Sequence, residues 1–308
     1  MRRVIAGDVG GTKTLLRCVE VTGQVLEERR FESGAFRSFD DLLAQFLANC
    51  PGTVDSACFA VAGPVFGTRA ELTNLGWRVD AQQLANLFQI RSVSLINDFY
   101  AIALGMPLLA EDDLVPLQSG HRQRAEPMAV LGAGTGLGQA MVTFHGAAGW
   151  GVIPGEGGHA DFAPQDEEQA RLFLALQRKY GHVSWERLLS GMGLANIHEF
   201  LTGRAEEPSV ISELAARGDG AAVRTMQIFV DIYGAEAGNM ALRMLARGGV
   251  FLAGGIATKN IPFFTDGRFV AAFTRKGRFS DLVRTIPVDL VVNETVGLMG
   301  AVEQAKRN

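Results

Sequence analysis

Cysteine is scarce in this 308-residue chain: only Cys18, Cys50 and Cys58 occur, an odd number with no metal-ligand spacing. That excludes a disulfide framework and a cysteine-ligated zinc site, and reads as buried, reduced thiols of a cytoplasmic protein. A secretory leader is lacking as well, since only Val4-Ile5-Ala6 forms an apolar run between Arg3 and Asp8. Residues 128–155 carry no Asp, Glu, Lys or Arg, yet Gly132, Gly134, Gly136, Gly138, Gly146, Gly149 and Gly151 interrupt them. The segment therefore reads as buried strands and turns, not as a membrane span. Excess positive charge is also missing. A net charge of -4 and a pI near 5.8, with no local basic patch, exclude general binding to nucleic acid or an anionic membrane. What is present, 47% hydrophobic and 20% charged residues, describes an ordinary folded protein of one large or two ordinary domains.

Two glycine-rich segments organise the chain. Val4–Val19 and Met128–Val142 each enter a glycine turn from a β-type run and leave it on a second β-type run, as hairpins do. Their identity to each other is slight, but the shared pattern predicts two α/β domains, each presenting a backbone turn to a common cleft. Between the hairpins, residues 54–61 and 93–96 read as buried strands, and 39–49 and 81–88 as helices. Farther on, Val223, Met226, Val230, Tyr233, Ala237, Met240 and Met244 fall at three- and four-residue steps, one apolar face of a helix over 221–245. Gly234 and Gly238, four apart on that helix, predict close approach of another backbone. Residues 250–253 and 290–292 read as short strands, 295–305 as a terminal helix, and 104–114 as an inter-domain crossing. Strands alternating with helices predict an α/β class with largely parallel pairing.

The chemistry concentrates in the turns. Gly7, Gly10 and Gly11 remove side chains, so that backbone N–H groups can approach anionic oxygens, while Thr12 and Thr14 add hydroxyl donors. Gly7–Thr14 approaches the P-loop pattern, but strand-like residues follow it where a P-loop needs a helix; neither glycine run fits a dinucleotide fingerprint. Asp8 is placed to hold magnesium, directly or through its water shell, near a transferred phosphate. Thr135, between Gly134 and Gly136, repeats the logic, and Gly254-Gly255 offers a side-chain-free surface for an adenine or ribose. Asn97-Asp98 ends a buried strand just before a helix, at the rim where α/β sheets place their ligands. Asp98 can accept a hydroxyl proton there, or either residue can simply cap the helix. Glu156 and His159, in a loop broken by Gly157-Gly158, suit a polyhydroxylated ligand and not a helical zinc motif. Ser184 reads as a helix cap with Glu186 in the first turn.

In order along the chain stand Gly-Asp-Val-Gly-Gly-Thr (7–12), Ala-Gly-Pro (62–64), Asn-Asp (97–98), Gly-Ala-Gly-Thr-Gly-Leu-Gly (132–138), Gly-Glu-Gly-Gly-His (155–159) and Ala-Gly-Gly-Ile (253–256). With these motifs the sequence resembles the bacterial glucokinase family of the sugar kinase/actin/Hsp70 ATPase superfamily. The resemblance implies two ribonuclease-H-like (actin-like ATPase) domains flanking a cleft: a smaller one, 1–108 plus 293–308, and a larger one, 109–292. It implies ATP-dependent phosphorylation of D-glucose to glucose 6-phosphate, with Asp98 as general base on the sugar 6-hydroxyl. Asn97, Glu156, His159, Glu186 and the Gly63-Pro64 turn would hold the sugar. Gly7, Asp8, Val9, Gly10, Gly11 and Thr12, together with Gly134, Thr135 and Gly136, would grip ATP and its magnesium, with Gly254 and Gly255 near adenosine. A cytoplasmic homodimer is implied too. Lys13, after Thr12, and Asn74-Leu75-Gly76-Trp77 are similar to the related ROK sugar kinases. The cysteine-rich zinc motif usual in those proteins is missing, which places the chain with the non-zinc group. Mannose, fructose or an N-acetylated hexosamine remain open as alternative substrates, and a non-catalytic actin-like nucleotide binder as an alternative class.

Overall fold

Residues Val4 to Gly7 are buried without a break along Arg3–Val9 (β1) because both faces of this strand are covered by helices, and the same holds for Ser56–Val61 beside it. The computed structural model describes residues 2–72 and 74–308. These divide into two compact units, residues 1–109 with 293–308, and residues 110–292.

In the first unit, β1, Lys13–Glu20 (β2) and Val25–Glu32 (β3) form an antiparallel meander. Ser56–Val61 (β4) and Ser92–Asn97 (β8) continue the sheet in parallel, giving the order β3-β2-β1-β4-β8. A small antiparallel sheet of Val65–Phe66 (β5), Arg69–Leu72 (β6) and Trp77–Asp80 (β7) lies between β4 and β8 in sequence. Helix 39–47 is capped by Ser38 and helix 81–88 by Asp80, as the polar-then-apolar pattern dictates. Phe39, Leu42, Phe46 and Leu84 pack with Ile5, Leu16 and Phe59 on one face of the sheet. The other face, with Val4, Ala6 and Ala60, is covered by helix 98–105 and the C-terminal helix 296–307. Those two helices pack backbone to backbone. A Cβ on Gly300 would lie 1.9 Å from the carbonyl oxygen of Ala101, and one on Gly105 2.3 Å from that of Val296.

In the second unit the meander is Met128–Ala133 (β10), Leu137–Phe144 (β11) and Trp150–Gly155 (β12). Gly249–Ala253 (β13) and Val288–Val291 (β14) add in parallel, and Leu114–Gln118 (β9) closes the edge antiparallel, in the order β12-β11-β10-β13-β14-β9. Helix 220–244 is buried along most of its length beside this sheet. Gly234 and Gly238 do admit a backbone, that of helix 268–274: a Cβ on either would meet the carbonyl oxygens of Phe269 and Phe273 at 2.4 Å. Among the described residues no helix is long and apolar enough to cross a membrane.

Candidate active site

Alternation along β1 decides what its glycine turn can present. Val4 and Ala6 face helices 98–105 and 296–307, so Asp8 falls on the same face, at the strand's end. Its Oδ2 lies 3.8 Å from where a Cβ of Gly297 would stand, in the first turn of the C-terminal helix. Burial, and next the Asp98 carboxylate, push Asp8 up to about 6; Arg30 opposes this only in part. Gly7 and Val9 point the other way and are buried. A Cβ on Gly7 would lie 2.6 Å from Leu16 and 2.8 Å from Phe59, so this glycine serves core packing. The Gly10 N–H closes the turn onto the Lys13 carbonyl at 3.0 Å. Within residues 7–12 only Thr12 is exposed, followed by an exposed Lys13, while Gly10 and Gly11 are half-buried.

Thr14 corrects an expectation. Its hydroxyl is fully buried and bonds Ser33 Oγ at 2.9 Å, while Ser33 Oγ donates to the Gly10 carbonyl at 2.8 Å. Thr14 therefore braces the turn from beneath and presents no donor to a ligand.

At the end of β8, Asn97 is the N-cap of helix 98–105, its Oδ1 accepting from the N–H groups of Phe99 (2.9 Å) and Tyr100 (3.2 Å). Its Nδ2 donates to the Gly63 carbonyl at 3.2 Å, which ties the Gly63-Pro64 turn to this strand end. Capping by Asn97 leaves Asp98 as the first helical residue, its Oδ1 accepting the Phe99 N–H at 2.8 Å. Burial raises Asp98 above the ordinary carboxylate range, against the opposing effect of the Phe99 N–H and the Asn97 side chain. Two half-buried carboxylates that repel each other form a donor set that a divalent cation would relieve. Among the described residues no group of three or more His, Cys, Asp or Glu is placed to hold a metal alone. A magnesium ion here would complete its shell with phosphate oxygens and water, as that ion commonly does.

In the second unit three of the expected side chains gather. His159 lies between Glu156 (3.8 Å) and Glu186 (3.9 Å), with Glu156 and His159 exposed and Glu186 largely sheltered. The Gly157-Gly158 break forms a single 3₁₀ turn, and Trp185–Arg187 forms another, which Ser184 does not cap with its side chain. Glu186 Oε2 accepts the Leu137 N–H at 3.0 Å, so the turn between β10 and β11 and the residue beside His159 share one contact. Gly136 makes room for it: a Cβ there would stand 2.5 Å from Glu186 Oε2. Thr135 is exposed at the tip of this turn, and the Gly134 carbonyl accepts the Gly191 N–H at 2.9 Å. Gly254 has φ +94° and abuts the Ala133 carbonyl, where a Cβ would come to 2.5 Å, whereas Gly255 is open. Ser33 and the Leu137 contact carried no local signal; their partners lie 19 and 49 residues away in sequence.

A sequence model described as Glucokinase matches residues 5–308. A curated glucokinase of Trichormus variabilis is 41% identical, with 100% of both chains covered. The chain belongs to the glucokinase family. The crystal structure of a glucokinase from an Antarctic psychrotroph superimposes with a TM-score of 0.91 at 29% identity, over 100% of each chain. A ROK family glucokinase from Streptomyces griseus, solved with glucose and AMPPNP, gives 0.65 at 19% identity over 99% of this chain and 100% of that one, a likeness of fold. With these neighbours, this member of the glucokinase family has the mixed α/β, actin-like ATPase fold.

Proposed function

We propose that this protein transfers the γ-phosphoryl group of ATP to the 6-hydroxyl of D-glucose, with Asp98 as general base. The observation that carries the reading is Asp98 itself: a half-buried carboxylate at the end of a parallel strand, held by the Phe99 N–H and raised by burial. A base of raised pKa has more affinity for the hydroxyl proton than a solvated aspartate. Asn97, Glu156, His159 and Glu186 are the proposed hydroxyl partners, and the Gly63-Pro64 turn is assigned to the same ligand. The Gly11-Thr12 and Thr135-Gly136 turns present backbone N–H groups to the phosphates, and Gly255 lies toward the adenosine. Magnesium, when bound with the nucleotide, offsets charge on the phosphoryl oxygens, and Asp8 is the residue assigned to it. Phosphoryl transfer depends on alignment and on spreading negative charge, so these groups position and stabilise, while Asp98 orients the attacking oxygen and takes its proton.

The family relationship and the nucleotide-analogue complex of a fold neighbour support ATP as donor. We read the protein as a cytosolic homodimer, as its family resemblance implies; sedimentation at twice the 33.1 kDa chain mass tests this. The decisive experiment is coupled ADP release with Mg·ATP against a panel of glucose, mannose, fructose and N-acetylated hexosamines. Glucose should show the highest kcat/KM. A different leading hexose overturns the substrate, and ADP release that no sugar stimulates overturns the kinase reading.

A further inference from the structure

Glu236 is a carboxylate with 0% exposure, set in the middle of the apolar helix 220–244. A buried charge is costly unless it is fully bonded. Here Oε1 accepts from Gln139 Nε2 at 3.0 Å and from Arg243 Nη1 at 2.8 Å, and Oε2 accepts from Asn239 Nδ2 at 3.0 Å. Lys276 joins the cluster, donating to the Ala235 carbonyl and to Asn239 Oδ1, each at 2.7 Å. Three of these partners lie on helix 220–244 or pack beside it. The fourth, Gln139, belongs to β11 and leads elsewhere.

Gln139 stands opposite Gly155 in the β11–β12 ladder. Its Oε1 lies 2.0 Å from where a Cβ of Gly157 would be, and the Leu137 carbonyl, two residues earlier on the strand, 2.3 Å from a Cβ of Gly158. Gly157 and Gly158 of the 155–159 loop therefore rest on consecutive same-face positions of β11. The side-chain support is an amide whose other end is tethered to Glu236. A glutamine amide without that tether can rotate and withdraw.

We propose that Glu236 is a positioning residue: through Gln139 it fixes the height and turn of the 155–159 loop, and with it Glu156 and His159. This rests on the reading that the loop holds the sugar. A network that merely stabilised helix 220–244 would not need its one strand-borne donor to be the residue on which Gly157 sits. In metal sites, removing outer partners that orient a ligand residue typically costs about 10–100-fold in affinity or activity.

The test uses Gln139→Met, which keeps length but loses the amide and leaves Glu236 bonded to Asn239 and Arg243. The sugar KM should rise about tenfold, as for lost outer partners elsewhere, with the ATP KM within about twofold. Amide hydrogen exchange in the 155–160 peptide should quicken. Glu236→Met, which removes the acceptor for Gln139 Nε2, should shift the same quantities in the same direction. Gly157→Ala should raise the sugar KM, and adding Gln139→Ala to it should recover part of the loss by removing the collision. A lower Tm with unchanged sugar KM and unchanged loop exchange assigns Glu236 a purely structural role and overturns the proposal. Equal rises in sugar and ATP KM overturn it as well. Glu156→Gln separates the two levels. If it leaves the sugar KM unchanged, the sugar-loop reading fails, while the exchange rates still decide whether Glu236 positions the loop.

Discussion

The two main sheets are built to one plan and carry opposite equipment. β3-β2-β1-β4-β8 and β12-β11-β10-β13-β14 share order and strand directions, a three-strand meander followed by two parallel strands. In register, Val9 pairs with Thr14 at the first turn and Ala133 with Leu137 at the second, so Asp8 and Gly132 are counterparts. At the end of the last parallel strand the first sheet has Asn97-Asp98, and the second has Val291-Val292. The first unit thus concentrates carboxylates at its strand ends, where the second has Gly132 and the apolar Val291-Val292. The second unit's polar side chains, Glu156, His159 and Glu186, come from turns outside the shared plan. One scaffold used twice thus carries strand-end carboxylates in one unit and the loop-borne Glu156, His159 and Glu186 in the other. Substitutions that treat the halves unequally probe that division.

The largest effect should come from the carboxylate half. Asp98→Asn should cut kcat by at least about 10², with sugar KM within about tenfold, read by coupled ADP release. Near-normal turnover removes Asp98 from the base role. Because the base works deprotonated and burial raises its pKa, kcat/KM of the unaltered protein should fall as pH drops, along a limb lying above the ordinary carboxylate range. The limb should vanish in Asp98→Asn.

The second unit should respond through ligand constants. At Gly136 an added methyl collides with Glu186, whereas at Gly134 nothing lies within 4 Å. Gly136→Ala should therefore displace Glu186 from the Leu137 N–H and raise the sugar KM by about tenfold, as loss of an outer support does elsewhere. Gly134→Ala should leave both the sugar KM and Tm near their starting values. Equal sugar KM values in the two variants would detach Glu186 from the turn.

Much of this was legible in the sequence, because local rules govern the features concerned. The hairpins, the apolar face of helix 220–244, the close approach at Gly234 and Gly238, and Asn97 as a cap all follow from spacing within a few residues. Illegible were contacts whose partners are distant in the chain. Thr14 looked like a phosphate donor because its true partner, Ser33, sits on the far side of β3. Glu236 carried no local sign of its role, since Gln139 lies 97 residues away. The small sheet β5-β6-β7 and the edge strand β9 are short and weakly patterned, and tertiary pairing alone defines them.

Asp8 tests whether the carboxylate half is under strain. Its folded pKa, about 6, exceeds the ordinary 3.8, so the folded state holds the proton more tightly than the unfolded chain. Stability must then fall as pH rises from about 4 to about 6, and the penalty is fully present above that range. Asp8→Asn removes it. With chelator and no nucleotide, the variant should be more stable by about 3 kcal/mol at pH 7.5, an advantage that disappears near pH 4. Saturating Mg·ATP should shrink the difference, since a bound cation would relieve the same repulsion. An Asp8→Asn protein no more stable at pH 7.5 would mean that the carboxylate is already compensated.

The smallest effect separates two threonines within the first hairpin. Thr14→Val keeps shape but leaves the buried Ser33 hydroxyl with one partner fewer, and should cost about 1 kcal/mol of stability in urea. The ATP KM should stay within about threefold, because the Ser33 bond to the Gly10 carbonyl survives to hold the turn. Thr12, two residues earlier and exposed, should behave inversely: Thr12→Val should leave urea stability unchanged and raise the ATP KM. A stability loss at Thr12 with no change in nucleotide constants would mean that the exposed tip of the turn is scaffold. The functional contrast between the two hairpins would then have to rest on Asp8 alone.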